Sequence, residues 1–122
     1  MTTPRPVRYR CEISSRLALE SGAVVTARLL ELSEHGAFVE EVGPLGDVQL
    51  EERATLTLPM PGGAPFSAQV RFCRFGRSRV ELKSRHAEHL SVTVRGLGLE
   101  FDLVDHDELE RLRDFLDLID SR

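Results

Sequence analysis

No stretch of this chain is apolar for anything near the roughly 20 residues that cross a bilayer as a helix. Its first residues, Met1-Thr2-Thr3-Pro4-Arg5-Pro6, lack the apolar centre of a secretory leader. Membrane insertion is therefore not expected, export has no support, and a cytoplasmic protein is the default. Cysteine is scarce, and Cys11 and Cys73 fall in strand-like segments without a C-x-x-C spacing, which suits reduced core thiols better than a disulfide. An excess of positive charge is missing as well: 16 basic against 20 acidic residues leave a net charge of −4, which argues against generic nucleic-acid binding. There is no nucleophile elbow, no phosphate-binding glycine loop and no Cys/His constellation with catalytic spacing. The pair His86-x-x-His89 has Glu88 beside it but no third ligand in a recognisable pattern. Neither enzymatic activity nor a metal or cofactor is expected.

What the chain does have is 122 residues, enough for one domain with a real core, and a run of period-two segments. Val7, Tyr9, Cys11 and Ile13 alternate with Arg8, Arg10 and Glu12 as a first strand. The segment 14–20 is less regular, and Ser21-Gly22 turns the chain into a second strand over 23–30. A third strand follows at 37–41 and is broken by Val42-Gly43-Pro44-Leu45-Gly46; a fourth spans 54–58. After the Pro- and Gly-rich loop 59–65, Phe66, Ala68, Val70 and Phe72 share one face of a fifth strand, opposite Ser67, Gln69, Arg71 and Cys73. Residues 76–95 read as a strand extension with a polar tip near 84–89, and 96–101 as a glycine-rich final strand. Asp105 and Glu108, in capping-box spacing, open a helix over 106–119 whose stripe of Leu109, Leu112, Phe115, Leu116 and Ile119 is expected to dock on the sheet. Charge is unevenly spread. Between 71 and 85 six basic side chains face Glu81 alone, whereas between 100 and 120 nine acids face only Arg111 and Arg113.

The chain turns hardest at Glu31-Leu32-Ser33-Glu34-His35-Gly36, between the second and third strands. Ser33 suits local bonds to backbone donors, and Gly36 suits the positive φ that a tight connection often requires. This hexapeptide resembles the [Asp/Asn]-x-Ser-x-x-Gly motif of the PilZ family, with Ser33 and Gly36 matching and Glu31 standing one methylene longer than Asp. The glycine-rich final strand and the closing helix extend the resemblance over nearly the whole chain. It implies a mainly β fold: a six-stranded antiparallel barrel with a C-terminal amphipathic helix, forming a single domain over residues 1–122.

The family's receptors for cyclic di-GMP also carry an Arg-x-x-x-Arg pair before the first strand, whose planar forks bond phosphate and stack on guanine. Here no two early arginines stand four apart; Arg5 or Arg10 can stand for the second, and the first has no counterpart. Charged hydrogen bonds to phosphate contribute roughly 1.5–3 kcal/mol each, so losing one arginine and lengthening the acid weakens binding by about two orders of magnitude or more. The expectation is a PilZ-like signalling adaptor that has lost cyclic di-GMP and works through a protein partner, with bacterial motility, type IV pilus function or cell polarity as the settings the resemblance offers. The alternative is a working cyclic di-GMP receptor, with Arg5, Arg8, Arg10, Glu31, Ser33 and Gly36 as its binding residues.

Overall fold

The computed structural model describes residues 9–60, 63–83, 89–102 and 105–120. Strands β1 (Tyr9–Leu19), β2 (Val24–Leu32), β3 (Gly36–Glu40), β4 (Arg53–Leu58), β5 (Phe66–Lys83) and β6 (His89–Phe101) are followed by the helix α1 (His106–Asp120), with a short 3-10 turn at Gly43–Asp47. All pairings are antiparallel, and the order β1-β2-β3-β6-β5-β4 closes into a barrel because β4 pairs back onto β1. The six expected strands and the terminal helix are all present. No described helix is long and apolar enough to cross a membrane.

Alternation explains the interior. Val25, Ala27 and Leu29 of β2, Ala54, Leu56 and Leu58 of β4, and Phe66, Ala68, Val70 and Phe72 of β5 point into one cluster. Ser15 faces the same interior at 2% exposure, and its hydroxyl donates to the Ala27 carbonyl at 2.7 Å, so the buried polar group is satisfied. The helix closes the barrel at the Phe66 end with Leu112, Phe115 and Leu116. Arg111 fixes it there, donating to the Ala64 carbonyl at 3.0 Å with its guanidinium 5.9 Å from the centre of the Phe66 ring. Asp105 caps the helix, accepting from the Asp107 amide at 3.1 Å.

Three departures from regular pairing shape the outer surface. One extra residue enters β1 between Arg10 and Ile13, one enters β2 between Leu29 and Glu31, and one enters β5 between Phe72 and Arg74. Such bulges bend a strand and raise its twist. The first strand therefore does not end near residue 13: β1 runs on to Leu19 past its bulge. In β5 the bulge marks the point where the strand parts from β4. Beyond Cys73, β5 has only β6 as a strand partner, in register from Arg74↔Gly98 to Lys83↔His89, while β6 stays paired with β3 as far as Gly96, so the two form a ribbon of their own only beyond Gly76↔Gly96. The extension expected over 76–95 is this arm, while its tip, 84–88, lies outside the described residues.

Where the arm joins the barrel, Leu30, Phe38 and Val94 form a second small cluster on the outer face. Phe38 lies against Gly96 and Gly76, which are themselves cross-strand partners. A Cβ on Gly96 would run into both the Phe38 ring and the Val39 carbonyl oxygen. Gly96→Ala is expected to destabilise the fold by about 1–3 kcal/mol. Gly63→Ala, where a Cβ meets nothing within 4 Å, is expected to change stability little; urea unfolding of the two variants checks the contrast.

Candidate functional site

Following the register sideways across the sheet gives one row of partners on five strands: Arg10↔Glu31, Glu31↔Phe38, Phe38↔Gly98 and Gly98↔Arg74. Cross-strand partners share a face, so Glu31, Phe38 and Arg74 belong to the same strip of outer surface, with the backbone of Arg10 paired at its edge. The β2–β3 turn borders this strip. Between them lies a cleft of about 220 Å³, lined by Glu31, Ser33, His35, Gly36 and Phe38 on one side and by Cys73, Arg74, Gly98 and Glu100 on the other.

The turn is built around Ser33, which is only 7% exposed. Its hydroxyl accepts from the amides of His35 and Gly36, both at 3.2 Å, and donates to the Gly36 carbonyl at 3.3 Å. The Ser33 amide donates to that same carbonyl at 2.9 Å. A hydroxyl has one proton and two lone pairs, and here all three are used inside the turn. Glu34 is tied outward, its carboxylate accepting from Arg113 Nε of α1 at 2.8 Å, so the turn and the helix are strutted together.

Gly36 is needed for a different reason from positive φ, since only Gly22 and Gly43 among the described glycines adopt one. A Cβ at Gly36 would meet the carbonyl oxygen of Leu99 on β6. The glycine lets two backbones approach; it does not relieve a strained turn. Gly98 plays a similar part across the cleft, where an added Cβ would come within 2.8 Å of Arg74 Cγ and 3.0 Å of its Nε. The Arg74 side chain thus lies over a bare stretch of β6.

Charge in the cleft is mixed. Glu31 and Glu100 bring two carboxylates to a cleft that Arg74 also lines. Glu100 is also held by Arg71 at 3.0 Å, and Arg71 in turn reaches Glu51 at 3.3 Å. Both thiols are half-buried and unbridged. Burial, then the nearby Glu31 carboxylate, pushes Cys11 up to about 11. Burial and Glu100 raise Cys73, whose thiol donates to the Gly98 carbonyl at 3.2 Å. Both remain protonated thiols at neutral pH, poor nucleophiles and poor metal ligands.

Of the residues expected at the site, Glu31, Ser33 and Gly36 meet in the cleft, and the backbone of Arg10 lies opposite Glu31. Arg5 and Arg8, like His86, lie outside the described residues. Arg74, Cys73, Gly98 and Glu100 were not expected there. The basic stretch and the glycine-rich strand stand out in the sequence, but only the register brings them to the motif turn.

No protein-family model matches the chain, and no curated protein matches it in sequence. Solved structures do. The PilZ domain of YcgR from Escherichia coli, solved with c-di-GMP, superposes with a TM-score of 0.73 at 16% identity, over 98% of this chain and 93% of that one. This chain has a PilZ-like fold. The K. pneumonia MrkH–c-di-GMP complex matches the PilZ-like barrel with a TM-score of 0.67 at 14% identity, over 99% of this chain and 54% of that one. The Bacillus subtilis inhibitor of motility MotI/DgrA matches at 0.64 and 14% identity, over 94% and 50%. The chain thus spans about half the length of these last two proteins.

Removing the Ser33 hydroxyl strands the His35 and Gly36 amides of the PilZ-like turn, while the Gly36 carbonyl keeps its bond from the Ser33 amide. Ser33→Ala is expected to cost about 1–2 kcal/mol of folding stability, read as a lowered denaturation midpoint with an unchanged m-value.

Proposed function

We propose that this domain is a signalling adaptor that works by protein contact, without catalysis, and that its cleft no longer holds cyclic di-GMP. The observation that carries this is the state of Ser33. A serine whose proton and both lone pairs are engaged in its own turn cannot bond a guanine edge unless the turn opens. The charge of the cleft supports the same reading, because Glu31 and Glu100 outnumber Arg74 where a ligand with two phosphates needs cations. Among the described residues there is no group of His, Cys, Asp or Glu arranged to hold a metal, and the thiols are held protonated. The solved neighbours support a place in cyclic di-GMP signalling: one is a PilZ domain carrying that ligand and another an inhibitor of motility. We place the domain in the cytoplasm, with a component of the motility or polarity machinery as its partner.

A second reading is favoured by one observation. Arg74 extends over Gly98 into the cleft, so a fifth-strand arginine stands where a phosphate or guanine could be met, and the receptor would then use Arg74 with Arg5, Arg8 or Arg10. Isothermal titration with cyclic di-GMP separates the two. The adaptor reading predicts no saturable heat up to high micromolar ligand. Micromolar binding that is abolished by Arg74→Ala or Arg10→Ala would replace it with the receptor.

A further inference from the structure

The arm and the helix carry opposite charge at opposite ends of the molecule. On the arm, Arg77 and Arg95 are direct cross-strand partners, a like-charge pairing that destabilises a ribbon standing alone. Arg95 reaches Glu41 at 3.5 Å, whereas Arg77 has no acidic partner among the described residues. Phe75, two residues before Arg77 on the same face of the strand, is 48% exposed.

The helix presents the complement. Asp107, Glu110, Asp114 and Asp117 recur at helical spacing along its exposed side, with Leu118 beside them 50% exposed. The two arginines of α1 do not offset these acids, since Arg111 is spent on the Ala64 carbonyl and Arg113 on Glu34. Among the described residues, Glu110 alone of this stripe has an ion-pair partner, His106 at 3.3 Å.

Within one molecule these surfaces cannot meet. The helix covers the Phe66 end of the barrel, while the arm leaves from the end marked by Gly76 and Gly96. Between two molecules they can. The free arm from Arg77 to Lys83 spans seven residues, about 23 Å at about 3.3 Å per residue. The helix spans 15 residues, or roughly 22 Å. An arm laid on a neighbouring molecule pointing the other way therefore matches that neighbour's helix in length.

We infer that two copies of this chain associate antiparallel, the basic arm of each lying on the acidic face of the other's α1. The contact is made twice about a two-fold axis, so the assembly closes as a dimer. Each half joins the arginine pair to the carboxylate stripe and covers Phe75 and Leu118. This inference rests on the arm and the helix alone and is independent of what the cleft binds.

Sedimentation velocity on the full chain, from low to several hundred micromolar and at low and high salt, tests it. The expected result is a monomer–dimer equilibrium that weakens as salt rises. Arg77→Glu or Asp117→Lys alone is expected to weaken dimerisation roughly tenfold or more. Mixing the two variants restores it, because one contact of the mixed dimer is native and the other has both charges exchanged. Circular dichroism confirms that each variant folds. A monomer at every concentration overturns the inference, as does a dimer indifferent to both substitutions or a mixture that fails to recover.

Discussion

The approach of β3 to β6 is the constraint on which the rest of the outer surface depends. Gly36 lets the β2–β3 turn sit against the Leu99 carbonyl, and Gly96 leaves room for the Phe38 ring and the Val39 carbonyl. A side chain at either position would force the strands apart, since backbone atoms do not yield as a flexible side chain does. With the strands close, Phe38 covers the base of the arm and Arg74 lies across Gly98. Glu100 is brought beside the motif turn, and a cleft forms between that turn and the facing stretches of β5 and β6. The bulges at residues adjoining this row supply the bend that lets five strands share it.

On the same frame, the turn is saturated. Ser33 closes its own hydrogen bonds, Glu34 is committed to α1, and the His35 carbonyl accepts from the Phe101 amide at 2.8 Å. A loop so fully bonded is a corner post of the barrel. The polar groups left over belong elsewhere, on the arm and on the outer side of the helix, where guanidiniums and carboxylates face solvent without enough opposite charge nearby. The chemistry available for recognition is thus displaced from the turn to the two ends of the molecule.

Much of this was legible in the sequence because a closed barrel imposes period two on its strands. The Phe66–Phe72 alternation and the stripe from Leu109 to Ile119 led directly to the interior and the lid. Reading failed where the period breaks. β1 looked finished near Ile13, because it contains an extra residue there that shifts the faces. Gly36 was read as a turn glycine at positive φ, and only the position of the Leu99 carbonyl shows that it serves a close approach of two strands instead. Arg74 joined the cleft through register, a relation between strands that no local pattern carries.

The account stands on the claim that the motif turn is complete without a ligand. Amide hydrogen exchange at His35 and Gly36, followed with and without cyclic di-GMP, tests that most directly. Both amides bond the Ser33 oxygen, so the prediction is slow exchange in the free protein and no change when the nucleotide is added. Fast exchange that slows on adding cyclic di-GMP would contradict it, since the turn would then be finished by the ligand and not by its own serine.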